Sequence, residues 1–262
     1  MMIERPYQVS MRLEARIRRK AAQFFGGERA IWMGDRPCVT FGFDDAPMSA
    51  VETGAAILER AGARGMFYLC AGFWGKTTHF GEMAGRAAVE RLVVAGHEIG
   101  CHSAAHWDCA AIGPEPTLAD LDDNRRRLGP LLSGARLQHF AYPFGSASLP
   151  LKRALSARFV TARGVRRDLI RGGFDRLNMP ALLVNSAPDC MAKAKRALQS
   201  AIARRAWVIF FTHDVREQAS PWGVKPGDLA DLVAQATDGG ARIATMSEAL
   251  ALGQTASARL ND

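Results

Sequence analysis

No run in this 262-residue chain approaches the length of apolar sequence a membrane-spanning helix needs, about 18 residues. The N-terminus has no apolar core followed by small residues, so export on a cleaved signal is not expected. Cysteine is scarce, odd in number and scattered: Cys38, Cys70, Cys101, Cys109 and Cys190. That argues against a disulfide framework and for a reducing cytoplasm, and the lack of any CxxC pair removes the usual structural zinc site. No GxGxxG or GxxxxGK loop follows a first strand, which leaves a nucleotide-binding fold little support. The body also lacks basic runs interleaved with aromatics, so no nucleic-acid partner is expected. Internal repeats and low-complexity linkers are absent.

The chain is 48% hydrophobic and 23% charged, which is ordinary for a globular protein. Its net charge of +8 is uneven: residues 1–30 hold seven Lys/Arg against three Glu, about half the excess. Within them, residues 9–25 read as an amphipathic helix, with Leu13, Ile17, Ala21 and Phe24 on one stripe and Gly26-Gly27 ending it. Two readings of this helix stay open. It packs on the domain or a second subunit, or it lies on the anionic inner face of a membrane. The expected division is a basic helical segment, 1–30, and one catalytic domain, 31–262.

From Val39 onward, short apolar runs alternate with amphipathic stretches. Strands are expected at 39–45, 66–70, 98–101, 137–142, 159–162, 181–184, 207–212 and 243–246, with helices between most of them. Such alternation calls for parallel strands joined by helical crossovers. The length suits a single α/β domain built as a (β/α) barrel, with an open doubly wound sheet as the rival.

Polar residues fall at the C-terminal ends of these strands. Asp44-Asp45 ends one, His102-Ser103-Ala104-Ala105-His106 follows another, Tyr142-Pro143-Phe144-Gly145 a third, and Thr212-His213-Asp214 a fourth. Barrel active sites are built on that face. Two adjacent carboxylates are costly to ionise together unless a cation offsets them. Two His residues four apart share a side if their segment makes a helical turn, and two His with one carboxylate is a common metal set.

These motifs carry a family resemblance. TFGFDD (40–45), HSAAH (102–106), AYPFG (141–145) and FFTHDV (210–215) resemble, in order, motifs of the polysaccharide deacetylases, the NodB-like carbohydrate esterase family 4. The resemblance runs from about Pro37 to Leu250. It implies a distorted, TIM-like (β/α) barrel of seven or eight strands and metal-dependent removal of N-acetyl groups from amino sugars. Carried over by position, Asp45, His102 and His106 would bind a divalent metal, most simply Zn2+, with Co2+, Fe2+ or Ni2+ as alternatives. Asp44 would be the general base, the Phe144 backbone N–H a donor to the oxyanion, and His213 the acid that protonates the leaving amine; Asp214 could orient His213. Tyr142, Pro143, Trp107, Arg163 and Trp222 are candidate substrate contacts.

Two departures stand out. The Arg that often opens the third motif is Ala141, so a buttress for Asp44 must come from elsewhere, Arg163 being a candidate. The fourth motif is not recognisable. The substrate expected is a carbohydrate bearing N-acetylhexosamine, in a bacterial glycan or its lipid-linked precursor. Location is expected to be cytoplasmic, with peripheral contact at the inner membrane face or dimerisation through residues 9–25. The type resembles deacetylases of exopolysaccharide or adhesin (holdfast) biosynthesis. Deformylation or O-deacetylation on the same fold, and a catalytically idle glycan-binding subunit, are the alternatives.

Overall fold

The computed structural model describes residues 17, 20–23 and 25–258, with side chains described as far as residue 253. The helix expected over 9–25 therefore falls mostly outside the described residues, although Lys20–Gln23 is helical.

Twelve strands occur among the described residues: β1 Arg29–Trp32, β2 Cys38–Asp44, β3 Met66–Leu69, β4 Thr77–Thr78, β5 Gly81–Glu82, β6 Glu98–Cys101, β7 His139–Ala141, β8 Thr161–Arg163, β9 Gly172–Asp175, β10 Leu182–Leu183, β11 Trp207–Thr212 and β12 Arg242–Ile243. Eight form one sheet in the order β10-β11-β2-β3-β6-β7-β8, with β12 also against β2. Every pairing in it is parallel. These eight strands lie where the alternating apolar runs predict them. The sheet curls without its end strands β8 and β10 pairing, so it is a half-barrel, the distorted form of the expected barrel.

β2 is central and fully buried, as a strand covered on both faces must be. Its side chains divide between two cores. Val39, Phe41 and Phe43 face the layer under the helices, and Phe43 stacks on Phe67 at 4.7 Å. Cys38 belongs to the half-barrel interior with Trp32, Met66, Tyr68 and Trp207. Burying such large side chains contributes about 1.5–3 kcal/mol each. All five cysteines are free thiols.

The antiparallel pair β1–β9 and the small hairpin β4–β5 were not expected. The boundary expected at residue 30 falls inside β1. The segment before β1 is tied down by Lys152, whose buried Nζ donates to the carbonyls of Ala22 and Phe25 at 2.8 Å and pairs with Asp175 at 2.5 Å. A cation placed there satisfies the carbonyls that end a helix.

Candidate active site at the strand ends

β2 ends by delivering Asp44 and Asp45 into the molecule, each 4% exposed. The backbone then turns through left-handed conformations at Asp45 (φ 59°) and Ala46 (φ 51°). Seven non-glycine residues have positive φ among those described, and five border this site: Asp45, Ala46, Ser103, His106 and Phe144. Such conformations cost of order 1–3 kcal/mol each and persist where the surroundings fix them.

The turn points the two carboxylates at different partners. Asp45 Oδ1 lies 3.5 Å from His106 Nε2 and 3.8 Å from His102 Nε2, and the three residues' ligand atoms lie within 4.8 Å of one another. His102 Nδ1 lies 2.8 Å from the carbonyl of Ala141, so it must be the protonated nitrogen and Nε2 carries the lone pair that faces Asp45. Burial pulls the His102 imidazole down to about 4 against the pull of Asp44 and Asp45, so it is neutral near pH 7. A neutral imidazole is the form that ligates a metal. One carboxylate and two imidazoles on one point, with His102 held in its ligating tautomer by the Ala141 carbonyl, fit a divalent cation.

The HSAAH segment does not make the helical turn that would put both imidazoles on one side by spacing alone. It is a bent loop with positive φ at Ser103 (65°) and His106 (55°). The two imidazoles meet because the loop folds back, with ring centroids 5.0 Å apart. Its tip is held from the helix Pro114–Leu128, where Asp120 accepts from the N–H groups of Ala104 (2.8 Å) and Ala105 (3.0 Å). Asn124, wholly buried on the same helix, accepts from Ala71 N–H and donates to the Leu69 carbonyl, both at 2.8 Å. Neither residue was singled out from the sequence. Asp120 and Asn124 lie four apart on the helix, facing the strand ends, and that spacing was the available signal.

Asp44 takes a separate partner. Arg163, at the end of β8 and fully buried, hydrogen-bonds Asp44 Oδ1 through Nη2. Its guanidinium lies over the Tyr68 ring (4.8 Å) and the Phe211 ring (4.7 Å), an arrangement that stabilises a desolvated cation. Arg163 thus fills the position left by Ala141. Burial works to raise the Asp44 carboxyl, but Arg163, His102 and His213 outweigh it and hold it below its ordinary range. Asp45 is likewise held down against burial, by His106 and His102.

His213 follows β11. Its ring stacks on Phe80 at 4.6 Å and 18°, and its Nδ1 approaches the Trp222 carbonyl at 3.4 Å. Phe80 is buried in the connection between β4 and β5; the sequence reading passed over it, along with His79, whose ring packs against Trp222 at 5.6 Å. Burial pulls His79 below its usual value while Asp45 works the other way, so His79 feels the field of the site.

Several expected contacts are corrected. Asp214 does not orient His213. Its wholly buried carboxylate accepts from Ser220 N–H and Arg216 Nε, both at 2.8 Å, and from Ser220 Oγ at 2.5 Å. It builds the loop that carries Trp222, and Gly223 is required there because a Cβ would sit 2.3 Å from Asp214 Oδ1. Tyr142 is buried with its hydroxyl donating to the Leu177 carbonyl, so it is unavailable to a substrate. Arg163 is enclosed behind Asp44 and so is likewise unavailable to a substrate, and Pro143 is buried. Phe144 packs its ring edge against His106 at 4.6 Å. Trp107 and Trp222 are 48% and 38% exposed, one beside His106 and one beside His213.

The sequence model of the polysaccharide deacetylase family matches residues 33–159. No curated protein matches the chain. Among solved structures, the chain is similar to a family 4 acetyl xylan esterase from Clostridium thermocellum in complex with a cobalt ion, at 19% identity and TM-score 0.56, covering 82% of this chain and 91% of that one. It is similar to the peptidoglycan deacetylase PdaC of Bacillus subtilis at 15% identity and TM-score 0.55, covering 86% and 95%. It also resembles the CE4 domain of a multidomain xylanase from the hindgut metagenome of Trinervitermes trinervoides at 16% identity and TM-score 0.56, covering 82% and 90%. At these identities the likeness is one of fold. The stretch 33–159 matches the polysaccharide deacetylase family, and the described chain has the fold of these carbohydrate esterase family 4 structures.

Proposed function

We propose that this chain is a metal-dependent hydrolase that removes N-acetyl groups from N-acetylhexosamine residues of a bacterial glycan or its lipid-linked precursor. The observation that carries this reading is the division of two adjacent buried carboxylates, Asp45 against two imidazoles and Asp44 against a buried guanidinium.

In this reading Asp45, His102 and His106 hold the divalent cation, with Zn2+ first and Co2+, Fe2+ or Ni2+ as alternatives. The cation supplies Lewis acidity, lowering the pKa of water and polarising the acyl carbonyl. Asp44 takes the proton of the attacking water. Arg163 keeps it ionised, and so ready to accept, at the cost of making it a weaker base. His213, fixed by Phe80 and the Trp222 carbonyl, returns a proton to the departing amine. By the family resemblance, the Phe144 backbone N–H donates to the oxyanion. Trp222 and Trp107, exposed on either side, offer faces for sugar rings.

The lipid-linked case goes with a cytoplasmic chain that meets the inner membrane face, or a second subunit, through residues 9–25. Ile17 and Phe25, exposed at 57% and 65%, support a partner for this segment. No helix among the described residues is long and apolar enough to cross a membrane. O-deacetylation is the second reading, favoured by the likeness to an acetyl xylan esterase.

The test is acetate release from N-acetylhexosamine oligosaccharides, free and lipid-linked, with and without chelator, beside an O-acetylated xylan. Chelator-sensitive acetate from the amino sugars is expected. Release from the ester alone would replace the leading reading by the second, and release from neither would overturn both.

A further inference from the structure

We propose that a groove at the opposite end of the half-barrel binds the phosphate or pyrophosphate group of a phosphorylated ligand. The inference stands without the deacetylase reading.

The groove has a volume of about 890 Å3, within the range of roughly 300–1,000 Å3 typical of small-ligand sites. It lies between the end of the helix Pro114–Leu128, the loop leading to β7, and the chain between the helix Leu149–Ser156 and β8. Gln138, just before β7, lines it, whereas the active-site turn at Phe144 lies beyond the other end of that strand. The two sites are therefore separated by the length of β7.

Its charge is one-sided. Arg125, Arg136, Arg158 and Arg176 line it, and no carboxylate does. Two of the four are committed. Arg176 donates to the carbonyls of Ser156 (3.1 Å), Phe159 (2.8 Å) and Val160 (3.0 Å) and pairs with Glu28. Arg158 pairs with Asp122. The other carboxylate nearby on the helix, Asp123, is taken by Arg126 and Arg127. Arg125 and Arg136 are thus left without a carboxylate among the described residues, and the groove keeps two uncompensated positive charges. The carbonyl end of the helix Pro114–Leu128 offsets only about half a charge.

Two guanidinium forks over one concavity suit an oxyanion with two negative charges and several acceptors, because each fork gives paired, charge-assisted bonds. Phosphate monoesters and pyrophosphate meet that need better than a single carboxylate. Leu132, Leu137 and Phe159 form the floor of the groove but are only 4–5% exposed, so recognition there rests on the guanidinium groups.

The experiment titrates inorganic pyrophosphate into the full chain at low ionic strength, by calorimetry. One-site binding is expected, weakened roughly tenfold or more in Arg125→Gln/Arg136→Gln. The comparison variant is Lys193→Gln/Arg196→Gln, the same charge change on an exposed helical face elsewhere, and it should bind as wild type. Both Arg residues are exposed, so the variants should keep the wild-type melting temperature. A parallel flotation uses vesicles of phosphatidylcholine with and without phosphatidic acid. Capture by the phosphatidic acid vesicles that the groove variant loses assigns the phosphate to a lipid headgroup. Pyrophosphate binding without such capture assigns it to a soluble ligand. Failure of wild type to bind either probe, or equal weakening in both variants, overturns the proposal.

Discussion

The two ends of the half-barrel each hold buried carboxylate and imidazole, yet they are built to opposite ends. At the N-terminal ends of β6, β7 and β8, His139 Nδ1 meets Thr161 Oγ1 at 2.8 Å, and His139 Nε2 meets Ser247 Oγ at 2.9 Å and Glu98 Oε1 at 3.1 Å. Glu98 also accepts from Ser247 N–H at 3.0 Å, which pins the start of the helix Met246–Ala258 to the sheet. Each group there answers another, and none of these residues has positive φ. At the C-terminal ends, the ligand atoms of Asp45, His102 and His106 converge within 4.8 Å of one another, on a backbone forced repeatedly into the left-handed region. Burial of polar groups is common to both ends. What distinguishes the C-terminal end is the convergence of potential ligand atoms on one point, held by local strain.

The largest expected effects break the functional end. Asp44→Asn should lower turnover by roughly 10³-fold while metal content, read by atomic emission, stays near one per chain. Asp45→Asn should lose the metal as well as turnover. If Asp44→Asn loses the metal, or keeps a near-normal rate, the division between the two carboxylates is wrong.

Next comes the ion pair behind the site. Arg163→Met leaves Asp44 buried without its cation and should cost about 3–5 kcal/mol in denaturant unfolding. It should also let Asp44 take up its proton at higher pH, moving the acid limb of the activity profile upward. Unchanged stability and profile would make Arg163 a bystander.

The His139–Glu98 cluster at the N-terminal end should respond in stability, with turnover untouched. Burial works to raise Glu98, but its bonds to His139 and Ser247 prevail and bring it from 4.5 to about 2. A depressed carboxyl contributes stability that is complete above its unfolded value and is lost as pH falls through the folded one. Wild-type stability should therefore fall by an amount on the order of 3 kcal/mol at most between about pH 4.5 and 2 on this account. Glu98→Gln should flatten that part of the curve, cost about 1–3 kcal/mol at neutral pH, and leave turnover at saturating substrate intact. A large fall in turnover would blur the contrast between the two ends.

The smallest effect sharpens the role of Phe80. Phe80→Leu removes the ring beneath His213, worth about 0.5–1.5 kcal/mol of aromatic contact, so turnover should fall up to roughly tenfold. Phe80→Tyr, which keeps the ring beneath His213, should restore it.

Much of this contrast is legible in the sequence. Buried parallel strands leave apolar runs, and a strand that ends in Asp-Asp announces where the charges go. The eight strands of the main sheet follow from that pattern, as does the grouping of Asp44, Asp45, His102, His106 and His213 at one face. What the sequence hides is what long-range packing decides. Arg163 is an ordinary Arg after a short strand until Tyr68 and Phe211 close over it. Asp120 and Asn124 look like the polar face of a solvated helix, and the loop they hold looks helical by its spacing. Asp214 beside His213 suggests a dyad, but neighbours along the chain there point apart, and the carboxylate turns to Arg216 and Ser220. The β4–β5 connection is too short and irregular to leave a periodic signal, so Phe80 and His79 went unseen.

The central claim is that Asp45, His102 and His106 form one cation site. Calorimetric titration of Zn2+ into chain stripped by a chelator tests it most directly. One ion per chain should bind, with affinity at least roughly a hundredfold weaker in His106→Ala and in Asp45→Asn, and unchanged in His139→Ala at the opposite end. Tight one-to-one binding that survives the loss of His106 and Asp45 would contradict it.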